Sequence, residues 1–107
     1  MNELQTPEYA AVRHILTSPP LAARCAPHIG GDDFGWNGLF AEAETMSGGE
    51  HLLVRIAYDL WHAQGVVGIW ELPRRLDRRS FERVLEALEL SRGNLIVGGL
   101  EMLPDAA

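Results

Sequence analysis

The clearest periodicity of apolar and polar positions runs through Met46–Trp61. Leu53, Ile56, Ala57, Leu60 and Trp61 recur at the spacing of one helical face. Arg55, Asp59 and His62 fall on another face, with Arg55 and Asp59 four apart as a weak ion pair. Ser47 and Glu50 have the S-x-x-E spacing of a capping box, in which each side chain takes the other residue's amide. Glu50 also sits where the helix dipole favours negative charge. Gly65 is a C-terminal stop signal. The pattern predicts a helix over 47–64 at the centre of the core.

The other elements follow from the same kind of signal. Thr6-Pro7-Glu8 reads as an N-cap, a proline at the first helical position and an acid in the first turn. Val12, Ile15 and Leu16 give that helix its apolar face, and Ser18-Pro19-Pro20 ends it near residue 17. Trp36, Leu39, Phe40, Ala43 and Met46 predict a helix over 34–46, joined by a very short turn to the central helix as an antiparallel pair. Val66-Val67-Gly68-Ile69-Trp70 is a short β-type run, and Glu71–Leu76 is long enough for one helical turn. Asp77 caps a helix over 78–91, with Phe81, Val84, Leu85 and Leu88 as its apolar face. Gly98-Gly99 between apolar runs signals a hairpin over 95–103, and residues 104–107 fray. The expected fold is therefore mainly α with a small β element (α+β): four to five helices with a short antiparallel hairpin, in a single domain over 1–107.

Residues 18–35 break the periodicity. Pro19, Pro20, Pro27, Gly30, Gly31 and Gly35 punctuate them, around one helical turn at Leu21–Cys25. A loop of this length is a candidate functional segment. It holds Cys25, His28, Asp32 and Asp33, but Cys25-x-x-His28 has no second Cys/His pair to complete a four-ligand zinc site, so no metal is expected. Asp32 or Asp33 is expected to cap the following helix, with the remainder as surface loop.

Composition narrows the picture. A length of 107 residues fits one domain, and a hydrophobic fraction of 47% is that of a globular chain. No apolar run approaches the roughly 20 residues needed to span a bilayer. The N-terminus is neither basic nor followed by an apolar stretch, and Cys25 is the single cysteine. These features predict a cytoplasmic protein with no membrane partner. The net charge of −6 argues against nonspecific nucleic-acid binding. The charge is uneven, however: Arg74, Arg75, Arg78, Arg79 and Arg83 cluster against Asp77 and Glu82, and all basic residues are arginine.

Two resemblances bear on function. Ser47-Gly48-Gly49-Glu50, with Ala57 seven residues after the glutamate, resembles the signature motif of ABC-type ATPases, which implies a nucleotide γ-phosphate at the start of that helix. A P-loop requires a lysine and this chain has none, so the segment reads as a helix cap. The order helix, short strand, short helix, helix, hairpin over 47–103 resembles a winged helix-turn-helix domain. That resemblance implies DNA contacts from Arg78, Arg79, Ser80 and Arg83, with residues 95–103 as the wing. It departs from the family at Pro73, in acidic Glu82, Glu86 and Glu89, and in a hairpin without basic residues.

Three functions remain in view. The first is a small acidic, non-enzymatic protein acting through protein–protein interaction as a regulator, inhibitor or adaptor. Its contact candidates are Arg74, Arg75, Arg78, Arg79, Arg83, Asp32, Asp33 and Trp36. It needs no cofactor, and it predicts an apolar patch beside the 18–35 loop. The second is a winged-helix-like transcriptional regulator. The third is a small enzyme or enzyme subunit, for which His14, His28, His51 and His62 lie in different segments without a recognisable motif. A homodimer fits each of the three. Three tryptophans, Trp36, Trp61 and Trp70, are enough for one to serve as an exposed interface anchor.

Overall fold

The computed structural model describes residues 6–93. Three of its helices begin where the local signals place them. Helix α1, Pro7–Leu16, is capped by Thr6, whose hydroxyl accepts from the Tyr9 amide at 3.1 Å. After it come a single turn α2, Ala22–Cys25, a 3-10 turn, Ala26–His28, and helix α3, Trp36–Ala43. Helix α4, Gly48–His62, has the reciprocal box: the Glu50 amide donates to Ser47 Oγ at 3.2 Å and the Ser47 amide to Glu50 Oε1 at 3.1 Å. The short α5, Glu71–Arg75, precedes α6, Arg78–Ser91, where Asp77 Oδ1 accepts from the Ser80 amide at 2.8 Å.

Helix α1 forms the spine and packs against both α4 and α6. Its Ala11, Val12, Ile15 and Leu16 are fully buried with Leu52, Val54 and Ala57 of α4 and Ala87 of α6. The buried face of α4 is therefore wider than the predicted stripe, because Leu52 and Val54 also find cover. Leu60 and Trp61 only flank the core. On α6 the buried positions are Val84 and Ala87, whereas Leu88, expected inside, is 41% exposed. The packing of α6 against α1 sets which of its faces is buried. The 18–35 segment is more than surface loop: Leu21, Cys25 and Phe34 plug the core, and Ser18 is buried with its hydroxyl donating to the Ile15 carbonyl at 2.7 Å.

The expected β element is the main correction. Among the described residues there is no strand, and β pairing is limited to an isolated antiparallel bridge between Ile29 and Phe34. The Val66–Trp70 run is a loop, and α5 is one short turn rather than the first helix of a helix-turn-helix. The winged-helix-like arrangement over 47–103 is therefore not the architecture seen. The hairpin expected at 95–103 and the fraying expected at 104–107 lie outside the described residues. The stop of α4 also differs. Ala63, at φ 56°, adopts the left-handed conformation expected of a glycine, two residues before Gly65, and its amide donates to the Asp59 carbonyl at 2.8 Å.

Candidate interaction surface

The polar face of α4 organises the segment that follows it. Asp59 does not pair with Arg55. Its Oδ1 accepts from the Val66 amide at 3.0 Å and its Oδ2 from the Val67 amide at 2.8 Å. The next amide, Gly68, donates to Glu71 Oε2 at 3.0 Å. Glu71 is buried, and its other oxygen accepts from Arg55 Nη2 at 2.9 Å. Arg55 Nη1 reaches Glu71 Oε2 at 3.4 Å and the Val66 carbonyl at 3.3 Å, closing the network. The Arg55 hydrogen bond, followed by the Gly68 amide, pushes the Glu71 carboxyl down to about 2. Three successive backbone donors are thus spent on carboxylates, so the run cannot offer them to a ladder despite its β-branched residues.

The same network fixes what the loop displays. Ile69 is 83% exposed and Trp70 56%, with Val66 and Leu88 also exposed. Trp70 folds over Gly68 so closely that a Cβ there would stand 2.4 Å from the indole Nε1. The Arg74 guanidinium lies 5.7 Å from the Trp70 ring centroid, within cation–π range. Beside this pair, Ile56 and Leu60 of α4, Leu72 of α5, Val84 and Leu88 of α6, and Val67 and Ile69 of the loop line an apolar groove of about 220 Å³. Asp59 is the carboxylate in its lining, with both oxygens engaged by loop amides.

The predicted contact residues divide among different environments. Arg74 borders the exposed loop, and Arg75 stands 3.7 Å from Glu71 and half exposed. Arg78 is exposed and 3.4 Å from Glu82. Arg79 is exposed and lines a hollow of about 230 Å³ with Ser18, Pro19, Pro20 and Arg83. Arg83 is engaged in the fold: its Nε donates to the His14 carbonyl at 2.8 Å and ties α6 to the end of α1. The ATPase-like Ser47–Glu50 start of α4 adjoins a second hollow beside Arg75 and Asp77, and its box is closed by its own side chains.

Asp32 is exposed. Asp33 caps the loop rather than α3: its Oδ1 accepts from the Phe34 amide at 2.7 Å, and its carbonyl from the Gly30 amide at 2.8 Å. The N-cap of α3 is Gly35, without a side-chain bond. Trp36 is half buried in a ring cluster, edge-on to Tyr58 and His62 at 5.4 Å each and tilted against Phe34 at 5.5 Å. Cys25 is buried, and burial pushes its thiol up to about 11. His28 Nε2 lies 3.5 Å from Glu42 Oε2, beside Arg24, which donates through Nε to Glu42 Oε1 at 3.1 Å. The bond from Arg24, then the nearby His28 ring, lowers the Glu42 carboxyl below its usual range. Among the described residues no group of three or more His, Cys, Asp or Glu is placed to hold a metal ion.

Sequence reasoning missed Ile69 and Leu88 as surface residues, and Asp59 and Glu71 as the loop's anchors. The exposed large apolar side chains border 66–70 and α6, and beside the 18–35 segment, where an apolar patch was expected, lies the hollow at Pro19 and Pro20. No helix among the described residues is long and apolar enough to cross a membrane. No protein-family model matches the chain, and neither a curated protein nor a solved structure matches it.

Proposed function

We propose that the protein acts by binding another protein through the 66–72 loop and the groove beside it, as a non-enzymatic regulator, inhibitor or adaptor. The observation that carries this is the outward display of Ile69 and Trp70 on a backbone locked by Asp59 and Glu71. Adjacent exposed large apolar residues that border an apolar groove are typical of interaction sites. Tryptophan and arginine, here Trp70 with Arg74, are the residue types most enriched among binding hot spots. A loop that is already ordered loses little entropy on binding.

The test compares proteins captured from the host by the wild-type chain and by an Ile69→Ser, Trp70→Ser variant. Both positions are exposed, so the fold is expected to survive and specific capture to be lost. Equal capture by the two proteins would place the contact elsewhere. A random-sequence duplex titrated at low and moderate salt serves as the control, since DNA binding through Arg78 and Arg79 would weaken steeply with salt.

A further inference from the structure

Resting on that proposal, we infer the chemistry of the occupant: an acidic amphipathic helical segment of a partner protein. The whole chain carries a charge of −6, yet the exposed charge that flanks the groove's loop is a cation, Arg74. Arg74 flanks it at Trp70 and has no carboxylate within ion-pair distance among the described residues. Arg75, on the same turn, is half exposed and lies at the neighbouring hollow beside Ser47 and Asp77. Arg92 lies one helical turn beyond Leu88, is 72% exposed and stands 3.8 Å from Glu89. The acids near the groove are engaged: Asp59 by two amides, Glu71 by Arg55 and the Gly68 amide, and Glu89, next to Leu88, by Arg92.

An apolar floor with the Arg74 cation at its rim complements an apolar stripe flanked by carboxylates. The mode of docking follows from the walls. They are α4, α5 and α6 with a loop whose Val66, Val67 and Gly68 amides are spent on carboxylates, so this run offers no regular strand edge to extend. Recognition falls to side chains inserted at helical spacing, as in helix-in-groove complexes. Charge complementarity at the rim speeds encounter and selects the partner, while Ile69, Trp70 and Leu88 hold it.

The experiment uses three labelled synthetic peptides of roughly 15 residues, long enough to form a helix on binding. They share leucines at one helical face and differ only in flanking Glu, Gln or Lys. Each is titrated into the full chain by fluorescence anisotropy, with amide shifts recorded in parallel. The Glu peptide is expected to bind roughly three- to tenfold more tightly than the Gln peptide, the range of a few exposed ion pairs. The Lys peptide is expected to bind weakest. Shifts are expected at Leu60, Ile69, Leu72 and Leu88. Arg74→Ser removes most of the Glu advantage, and Ile69→Ser weakens all three peptides.

Equal binding of all three peptides in the groove would overturn the acidic chemistry while leaving protein docking intact. The same holds if no peptide shifts the groove but capture from the host still depends on Ile69 and Trp70. Loss of both signals removes both proposals together. Self-association abolished by Ile69→Ser would make a second copy the occupant. Overhauser contacts from residues 94–107 into the groove would make it the chain's own end. Either result overturns the inference.

Discussion

Two tryptophans in this chain have opposite surroundings. Trp36 is held by rings, with Phe34, Tyr58 and His62 around it and Tyr9 and Trp61 next to Phe34. Trp70 is held from beneath by Gly68 and from the side by Arg74, with more than half its surface in water. The first belongs to apolar packing and supports the fold. The second rests on a polar scaffold of Asp59, Arg55 and Glu71 that contributes order without covering the side chain. A small domain can thus keep a large apolar surface open by ordering the backbone under it with charged hydrogen bonds.

That contrast can be broken from either side. Leu53→Ala, in the fully packed part of α4, is expected to cost ~2–5 kcal/mol in urea unfolding. Trp36→Ala, half buried, should cost roughly 2–3 kcal/mol, below the loss for a fully enclosed tryptophan. Glu71→Gln acts on the scaffold and shows itself in pH dependence. The Glu71 carboxyl is lowered from 4.5 to about 2 in the folded chain. Its contribution is therefore complete above the unfolded value and is lost as pH falls from 4.5 towards 2. Acid unfolding of the Gln variant is expected to lack that part of the decline, and to match the wild type if Glu71 contributes nothing. Gly68→Ala should displace the indole and shift Trp70 emission while leaving the core nearly untouched. Trp70→Ala should change stability least, within about 0.5 kcal/mol. A loss comparable to that of Trp36→Ala would mean the two tryptophans do the same work.

The same contrast separates what local sequence shows from what it hides. Thr6, Ser47 with Glu50, and Asp77 begin their helices as expected, because a cap is decided within three residues. The Val66–Trp70 run reads as β because its side chains favour a strand. Its fate was set instead by Asp59, seven and eight residues back, and by Glu71. Side-chain bonds of that kind leave no periodic mark. Arg55 and Asp59 have the spacing of an ion pair, but each finds a better-placed partner across the loop. Leu88, expected inside, is exposed while Ala87 is buried, because the face of α6 that is covered is the one that packs against α1. The arginine cluster was visible from composition. The groove beside it was not, since its lining comes from three helices and a loop.

The most direct test of the account is amide hydrogen exchange at Val67 and Gly68, read residue by residue in the wild type, Asp59→Asn and Glu71→Gln. These amides lie in a surface loop outside any helix, so protection there must come from the two carboxylates. Slow exchange in the wild type is predicted, with Val67 accelerated by Asp59→Asn and Gly68 by Glu71→Gln. Exchange at the rate of an unstructured chain in the wild type would contradict the account, because Ile69 and Trp70 would then stand on no scaffold at all.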